Sequence, residues 1–296
     1  MTFPSTSTRL VNPISYWSKR VLYADRGIIV LNKPSGLICQ TENDDNAYSV
    51  RITSTTTFQH SAYHLTGLRQ IFSLSCNPYP VHRLDKGTTG TLLLAKTLQS
   101  AQSISQQLQQ RTVEKFYLAL VRGGDKSFPV KSGVINVPLQ YHNGTASLAR
   151  KGKSSLTEWE VLASSPVAPL TLLRFKLMTG NKHQLRVHAA QSLLAPILGD
   201  HVYSKTAQSP VITTLTQVPE DRMYLHAHEV SFFKYRPSGP HKRFRLSIRA
   251  PLPHDFSRIC ADMKMNVNSS DSRGGILVNG VHADEGQDVI NYCTKE

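Results

Sequence analysis

The order of the predicted elements indicates an α+β fold with a mixed, largely antiparallel sheet and flanking helices. Short β-rich runs outnumber the helical runs, and the two kinds do not alternate in the regular strand–helix–strand order of a parallel sheet. The chain has 296 residues, of which 40% are hydrophobic and 18% are charged, as is typical of a globular protein. This length allows one large folded domain or two small ones.

Hydrophobic periodicity predicts the individual elements in order. Apolar alternation favours strands, whereas apolar residues three and four apart favour helices. In the first half of the chain we expect strands at 27–31, 92–95 and 114–121 and a helix at 98–111. In the second half we expect strands at 133–137, 156–162, 170–178, 224–233 and 244–248 and helices at 183–194 and 253–264. The polar composition of segment 41–79 predicts an irregular insertion.

The two ends of the chain differ in composition from its centre. Residues 1–24 contain no acid, three bases and seven Ser or Thr, which is typical of a mitochondrial transit segment and also of a disordered terminus. Residues 265–296 carry two bases and five acids, which predicts a mobile acidic tail. We therefore expect a targeting or disordered N-terminus at 1–20, a folded domain at 21–264 and a mitochondrial location, with a cytoplasmic or nuclear one as the alternative.

The chain is strongly basic, and most of its excess charge lies in one region. Lys and Arg total 34 against 20 acids, which gives a net charge of +14 and a pI near 9.7. Residues 80–190 hold 15 bases and 5 acids, or +10 of that +14. A polyanionic partner is the predicted consequence, although a basic protein without such a partner has the same composition.

The cysteines and the apolar runs exclude two classes of protein. The four cysteines, Cys39, Cys76, Cys260 and Cys293, are far apart and form no CxxC pair. This spacing argues against a disulfide framework or a zinc knuckle and fits a reducing compartment. No apolar run approaches the roughly 20 residues that cross a bilayer, so we expect no membrane partner.

Residues 81–90 carry the most informative motif, Val-His-Arg-Leu-Asp-Lys-Gly-Thr-Thr-Gly. Asp85 is the one acid in this stretch and lies beside Arg83 and Lys86, whose charges favour its ionised form. An ionised carboxylate on a polar turn can be a nucleophile, a base, a metal ligand or a capping residue. The motif alone leaves these roles open.

Four motifs in the same order resemble those of the RluA-like family of RNA pseudouridine synthases. They are Asn32-Lys33-Pro34-Ser35-Gly36-Leu37, His82-Arg83-Leu84-Asp85 with Thr88-Thr89-Gly90, Lys115-Phe116-Tyr117-Leu118-Ala119, and Thr179-Gly180-Asn181-Lys182-His183-Gln184-Leu185-Arg186-Val187-His188, which continues to Pro196-Ile197-Leu198-Gly199-Asp200-His201-Val202-Tyr203. The resemblance spans about residues 21–255 and implies a mixed sheet with flanking helices and a central RNA-binding cleft.

The resemblance also implies a reaction and the residues that perform it. Such enzymes break the bond from C1′ to N1 of a uridine and rejoin the base through C5, without metal or other cofactor. By resemblance, Asp85 acts at C1′, Arg186 keeps that carboxylate ionised, and Tyr117 stacks on the base. The residues expected to contact RNA are Arg83, Lys33, Lys115, Lys182 and His183.

The expected substrate is a structured RNA, and the expected protein is a monomer. Mitochondrial large-subunit ribosomal RNA is the favoured target, and transfer RNA is the alternative. Two positions depart from the family pattern: Asn181 lies where relatives usually carry Arg, and Thr89 replaces the usual Ser. The first departure puts a phosphate contact in doubt, whereas the second keeps the hydroxyl group.

A metal-dependent hydrolase is one competing interpretation, because the chain has 12 histidines. However, His183 and His188 are five residues apart, not four as in a helical zinc pair, and no Glu follows the first. His226 and His228 alternate on a predicted strand, with Glu229 as their acidic neighbour.

A non-catalytic RNA-binding protein on the same scaffold, such as a ribosome-assembly factor, is the other competing interpretation. It explains the basic charge equally well. It does not explain why Asp85, Tyr117 and Arg186 occur together in their motif positions, so the enzyme remains the favoured prediction.

Overall fold

The computed structural model describes residues 13–39, 65–204, 209–235 and 242–283. The helices in these ranges are α1 (Pro13–Ser18), α2 (65–71), α3 (Leu98–Gln109), α4 (Gln184–Val187), α5 (Pro210–Thr216), α6 (His254–Asp262) and α7 (Ser269–Ser272). The strands are β1 (Val21–Ala24), β2 (Ile28–Lys33), β3 (Tyr79–Pro80), β4 (Thr89–Ala95), β5 (Glu114–Arg122), β6 (Ser132–Asn136), β7 (Leu139–His142), β8 (Thr145–Leu148), β9 (Leu156–Ser164), β10 (Leu170–Leu177), β11 (Leu225–Tyr235), β12 (Arg243–Arg249), β13 (Gly275–Val278) and β14 (Val281–His282).

One large mixed sheet organises the molecule. Its central order is β1-β2-β4-β11-β5-β10-β9-β6, and β12, β13 and β14 extend it from β11. The β4–β11 pair is parallel, through Thr89 with His226 and Gly90 with Ala227, and the other pairings between named strands are antiparallel. The predicted α+β class with a largely antiparallel sheet is confirmed. Strands β7 and β8 form a separate hairpin.

The central strands are buried on both faces, which explains their near-continuous apolar sequences. In β4, Leu92 and Leu94 belong to the core layer that contains Tyr117, whereas Leu93 points to the opposite layer with Ile104 of α3. Successive side chains of a strand point to opposite faces, so a single run of leucines serves both layers. The layer around Tyr117 also supports the cleft described below.

The ends of the folded region differ from the sequence prediction. Helix α1 places Trp17 in the main core with an exposed fraction of 1%, so the expected disorder of residues 1–20 is wrong for 13–20, while residues 1–12 lie outside the described ranges. In the segment expected to be an irregular insertion, α2 buries Leu68 in the same core. Residues 40–64 of that segment lie outside the described ranges. In both cases one large apolar side chain gains a place in the core, which local polar composition does not reveal.

The expected mobile tail is also wrong for residues 265–283. Strand β13 pairs with β12 and buries Leu277, and Asp271 of α7 forms an ion pair of 2.6 Å with Arg174. Arg174 also pairs with Glu160 at 3.0 Å. The acidic character that suggested a solvated tail instead provides a partner for a basic side chain on the sheet. Residues 284–296 lie outside the described ranges.

Residues 183–194, predicted as one helix, form two shorter pieces. Helix α4 is followed by a π-helical turn at His188–Ser192, and both His183 before it and Leu194 after it have left-handed backbone angles, φ 57° and 53°. None of the helices in the described ranges has the length and apolarity to span a bilayer.

Candidate active site

A cleft of about 380 Å³ opens over the core layer that contains Tyr117. It lies between the Asp85 loop, strand β5 and the start of helix α4. Seven of the eight predicted site residues line it, namely Arg83, Asp85, Lys115, Tyr117, Lys182, His183 and Arg186. Three of the four motifs, which lie far apart in sequence, therefore converge on a single cavity, whereas the first motif, with Lys33, does not line it.

The Asp85 loop is fixed to the sheet by side-chain and backbone contacts. The Thr88 amide donates to the Asp85 carbonyl at 3.0 Å, which closes a turn around the carboxylate. The imidazole Nε2 of His82 accepts the Leu93 amide of β4 at 2.8 Å. Burial, followed by the charge of Lys115, lowers the pKa of His82 to about 3, so the ring is neutral and can accept this bond. His82 belongs to the quoted motif, but its role was not predicted.

Gly90 allows β4 to approach β11 immediately after this loop. Its φ is 107°, and a Cβ atom there would lie 2.2 Å from the carbonyl oxygen of Ala227. Only glycine fits this backbone angle and this spacing. The Gly that ends the motif is therefore required to bring Asp85 beside the strand that neighbours Tyr117.

Arg186 is shared between two carboxylates at the floor of the cleft. Its Nη1 donates to Asp85 Oδ2 at 3.1 Å, while Nε and Nη2 donate to the two oxygens of Asp200 at 2.7 and 2.8 Å. Burial disfavours the charge of Arg186, but the hydrogen bonds and charge of Asp200, with a further contribution from Asp85, raise its pKa overall. The guanidinium is therefore a permanent cation beside Asp85.

Asp200 was not predicted as a site residue, although it lies in the continuation of the last motif, Pro196 to Tyr203. Its side chain is 0% exposed, and Oδ1 also accepts the amides of Val202 and Tyr203 at 3.0 and 3.2 Å. The bidentate contact leaves Nη1 of Arg186 directed at Asp85. A Gly-Asp pair after the motif was the available signal, but only the fold shows that it faces Arg186.

Tyr117 lines the cleft from strand β5 and is packed in the core beneath it. Burial, reinforced by the negative charge of Asp85, raises the pKa of Tyr117 well above its ordinary value. The side chain is therefore a neutral phenol throughout the physiological range. It presents an aromatic face rather than a charged base to the cleft.

His183 lines the cleft beside Asp85. Its Nδ1 lies 2.7 Å from the hydroxyl of Tyr203, and its Nε2 lies 3.9 Å from Asp85 Oδ2. Burial is the main reason that the pKa of His183 falls to about 4; the Asp85 carboxylate opposes this shift, whereas Arg186 and Lys182 reinforce it. The imidazole is neutral at pH 7.

Lys33 does not take the predicted role. Its side chain is completely buried, and Nζ donates to the carbonyls of Pro34 and Lys86 at 2.9 and 3.1 Å. This geometry contradicts the predicted phosphate contact, because an ammonium group enclosed by the protein cannot reach RNA. Lys33 instead ties the first motif to the Asp85 loop.

The other basic residues predicted to contact RNA face the cleft. Arg83 is exposed at its rim, and Lys182 is half-buried there. Lys115 is also half-buried, and burial lowers its pKa to about 8, so it still carries a proton at pH 7. Asn181, the departure from the family pattern, donates to the Ser154 carbonyl and to Ser155 Oγ at 2.8 and 2.7 Å. It therefore secures the loop before α4.

The histidines that suggested a metal site do not converge. His188 bonds to Thr157 Oγ1 and the Val137 carbonyl, away from His183, and His226 bonds to Thr89 Oγ1. Within the described ranges, no three His, Cys, Asp or Glu side chains are placed to hold a metal ion together.

Within this mixed sheet, the cleft joins the ion-paired Asp85 and Arg186 to the side chain of Tyr117 and to three basic side chains, a combination typical of an RNA-modifying enzyme. The family model described as RNA pseudouridylate synthase matches residues 27–191, more than half of the chain, and the chain belongs to this family. The protein is thus an RNA pseudouridine synthase. It is an isomerase, since it rearranges the bonds of its substrate without changing the atoms that the substrate contains.

Individual relatives agree with this assignment. The chain is 32% identical to ribosomal large subunit pseudouridine synthase D of Nitrosomonas europaea over 86% of this chain and 68% of the relative. It is 31% identical to ribosomal large subunit pseudouridine synthase C of Haemophilus ducreyi over 87% and 73%. The solved structure of human RNA pseudouridylate synthase domain containing 4 superposes with a TM-score of 0.65 and 22% identity, covering 86% of this chain and 97% of that one, and supports the fold.

Proposed function

We propose that Asp85 is the catalytic carboxylate of this synthase, and that the favoured substrate is mitochondrial large-subunit ribosomal RNA. The observation that carries the first part is the contact between Asp85 and Arg186 at the floor of the cleft, at 3.1 Å. Arg186 is a permanent cation, and its Nη1 donates to Oδ2 of Asp85, so it holds the carboxylate in place at the floor of the cleft.

The reaction requires little more than this carboxylate and control of the detached base. Asp85 either attacks C1′ or removes the C2′ proton, and in both routes the electron pair of the C1′–N1 bond leaves with the uracil. The uracil anion then turns and C5 bonds to C1′; the Asp85–C1′ bond breaks in the first route, and Asp85 returns the proton to C2′ in the second. C5 finally loses its proton and N1 gains one. The uracil is a tolerable leaving group, so we propose that the enzyme acts without a metal or other cofactor, and as a monomer.

Tyr117 is proposed to hold the base during this sequence. A target uridine in folded RNA must leave its stack, which costs a few kcal/mol. A base stacked on an aromatic ring recovers roughly 1–3 kcal/mol, and the neutral phenol of Tyr117 provides such a surface. Arg83, exposed at the rim, is placed to fill the vacated space or to grip flanking phosphates, with Lys115 and Lys182 as further phosphate contacts.

The choice of ribosomal RNA rests on the relatives and on composition. Both relatives described above carry names that refer to the large ribosomal subunit. The mitochondrial location rests on the acid-free, Ser- and Thr-rich residues 1–24. Transfer RNA is the alternative substrate. Mapping pseudouridines in cells that lack the protein would identify the target, and fluorescent tagging would test the location.

Tritium release from RNA labelled at uridine C5 tests the role of Asp85. We expect Asp85→Asn to lose roughly 10⁴-fold in rate while it binds RNA within severalfold of the wild type, because the amide keeps the shape but not the charge. Asp125→Asn is the matched control, since this carboxylate lies in an exposed ion pair with Lys131. Equal release by Asp85→Asn and the wild type would refute the assignment. Activity that survives thorough washing with a chelator would support the metal-free reaction.

A further inference from the structure

The backbone of His183 is strained, and one nitrogen of its ring is held by a hydrogen bond. Its φ of 57° lies in the left-handed region, which costs a non-glycine residue about 1–2 kcal/mol. The ring stacks edge-on against Tyr203, with centroids 5.6 Å apart. Strained residues of this kind persist where the surroundings impose them and cluster at functional sites.

The partners of Tyr203 determine which nitrogen of His183 carries the proton. The Tyr203 oxygen already accepts the Ala146 amide at 2.9 Å, and donation of its own proton to His183 gives both the oxygen and the proton of this hydroxyl a partner. The acceptor placed to receive it is His183 Nδ1, at 2.7 Å. A neutral imidazole that accepts at Nδ1 must carry its hydrogen on Nε2.

The protonated Nε2 faces the cleft, and among the residues that the structure describes it has no acceptor within hydrogen-bond distance. It lies 3.9 Å from Asp85 Oδ2, which is too long for a direct hydrogen bond and leaves room for a substrate oxygen beside the carboxylate. The lowered pKa of His183 keeps this group neutral, so it donates without a net charge that would neutralise Asp85.

We propose that His183 is a catalytic hydrogen-bond donor that stabilises the departing uracil through O2. When the C1′–N1 bond breaks, its electron pair is shared between N1 and the two carbonyl oxygens of the ring. O2 is attached to the carbon next to N1, so it is the carbonyl oxygen nearest C1′ and Asp85. Nε2–H donates to O2 as its negative charge develops, and no proton is transferred. Tyr203 acts as a positioning residue that fixes the tautomer. The inference rests on the proposed function.

Two substitutions separate the two nitrogens of His183. Asn carries an amide oxygen near the position of Nδ1 and tolerates the left-handed backbone, but it does not reach the position of Nε2. Gln carries an amide nitrogen near the position of Nε2. We expect His183→Asn to reduce the single-turnover rate about 100-fold and His183→Gln to stay within about 10-fold of the wild type, because a lost donor to a developing anion costs roughly this much. His282→Asn, exposed on β14, is the matched control.

A better leaving group distinguishes charge stabilisation from a structural role. RNA that contains 5-fluorouridine at the target releases a more stable anion, so C1′–N1 cleavage depends less on the donor. We expect the loss in His183→Asn to shrink from about 100-fold to below about 10-fold when consumption of 5-fluorouridine is followed by nuclease digestion and mass spectrometry. Tyr203→Phe should show the same trend with a smaller loss. RNA affinity and the thermal unfolding temperature should remain unchanged in His183→Asn.

An equal loss for uridine and 5-fluorouridine, or a full rate for His183→Asn on uridine, would overturn the inference while leaving Asp85 in its role. A wild-type protein that forms no pseudouridine in any RNA would overturn the proposed function and this inference with it. The wild type and the Asp85→Asn variant are therefore assayed beside the His183 variants.

Discussion

His183 and His226 are both neutral histidines beside the reactive end of the sheet, yet they serve different purposes. Burial is the main cause of the low pKa in each, about 4 for His183 and about 3 for His226. His226 is 0% exposed and uses both nitrogens, at 2.9 Å from Thr89 Oγ1 and 3.3 Å from the Ala250 carbonyl. His183 uses one nitrogen and directs the other at the cleft. The number of protein partners, rather than residue type or burial, separates a reacting group from a structural one.

The two carboxylates bound to Arg186 show the same contrast. Among the variants considered, substitution of Asp200 should have the largest effect on the free energy of unfolding. Asp200 is fully paired, like His226, whereas Asp85 faces the cleft. We expect Asp200→Ala to lower the free energy of unfolding by about 3–5 kcal/mol, because it leaves the buried Arg186 without its bidentate partner. Urea unfolding would measure the loss. Asp125→Ala, at an exposed pair with Lys131, should cost about 1 kcal/mol or less, and similar losses in both variants would contradict the contrast.

The two histidines should respond in opposite ways to substitution. His226→Ala removes the closest partner of the Thr89 hydroxyl and one of the two histidine contacts of the Ala250 carbonyl, and it opens a cavity, so we expect a loss of about 3 kcal/mol in the free energy of unfolding. His183→Asn should cost below about 1 kcal/mol because its Tyr203 contact is kept. Urea unfolding and single-turnover rates on both variants would measure this. A larger loss of stability in the His183 variant would contradict the comparison.

Acid should lower the free energy of unfolding through the buried histidines, of which His82 is an example. The folded-state pKa of His82 is about 3, below the value of 6.5 for an unperturbed histidine. Below pH 6.5 the unfolded chain therefore takes up a proton that the folded chain cannot, so this contribution to stability is complete above pH 6.5 and declines as the pH falls towards 3. Between pH 6 and 5 we expect His82 to account for about 1 kcal/mol of lost unfolding free energy.

Gln at position 82 isolates this contribution. His82→Gln keeps an acceptor for the Leu93 amide but does not titrate. Urea unfolding at pH 6 and pH 5 should therefore show a smaller change for this variant than for the wild type. Identical pH dependence in the two proteins would show that His82 is not the group that responds.

We expect the smallest change in the free energy of unfolding at Leu194, whose left-handed backbone lies outside the cleft. Leu194 has a φ of 53° and an exposed fraction of 81%, so its strain is not offset by burial. We expect Leu194→Gly to raise the free energy of unfolding by about 0.5 kcal/mol and to leave the rate unchanged. His183→Gly would relieve the same strain but lose activity. Leu98→Gly, at an exposed helical position, should be destabilising, and thermal unfolding of the three variants would test this order.

The motifs were sufficient to predict the three residues that are proposed to act on the uridine. Asp85, Tyr117 and Arg186 were identified because each lies in a short pattern with fixed spacing, and the fold brings them to one cleft. Lys33 was misjudged because sequence does not distinguish an ammonium group at the surface from one enclosed by carbonyl oxygens. Asp200 was missed because its contact with Arg186 depends on how the fold brings the two residues together, which the sequence does not show.

The strands were predicted more accurately than the segments between and beyond them. The alternation in β5 and β10 marks their positions to within about one residue, since burial in a sheet imposes a period of two. Trp17 and Leu277 are buried side chains in segments whose overall composition is polar, and composition does not show which side chain reaches the core. The interrupted helix after His183 reflects tertiary contacts of both its ends, which overrode the local helical pattern.

Strand β11 is one of the last strands along the chain, but it lies between β4 and β5 in the middle of the sheet. Asp85 therefore stands on one side of a seam and Tyr117 and Arg186 on the other, and the seam closes only when residues 225–235 insert. During synthesis the ribosome must release most of the polypeptide before the two halves can join, and such long-range pairing is slow. We therefore expect the growing chain to have no activity until β11 has been synthesised and inserted into the sheet. A chain that ends before this strand would leave the two halves of the site apart and an unpaired strand edge open to aggregation.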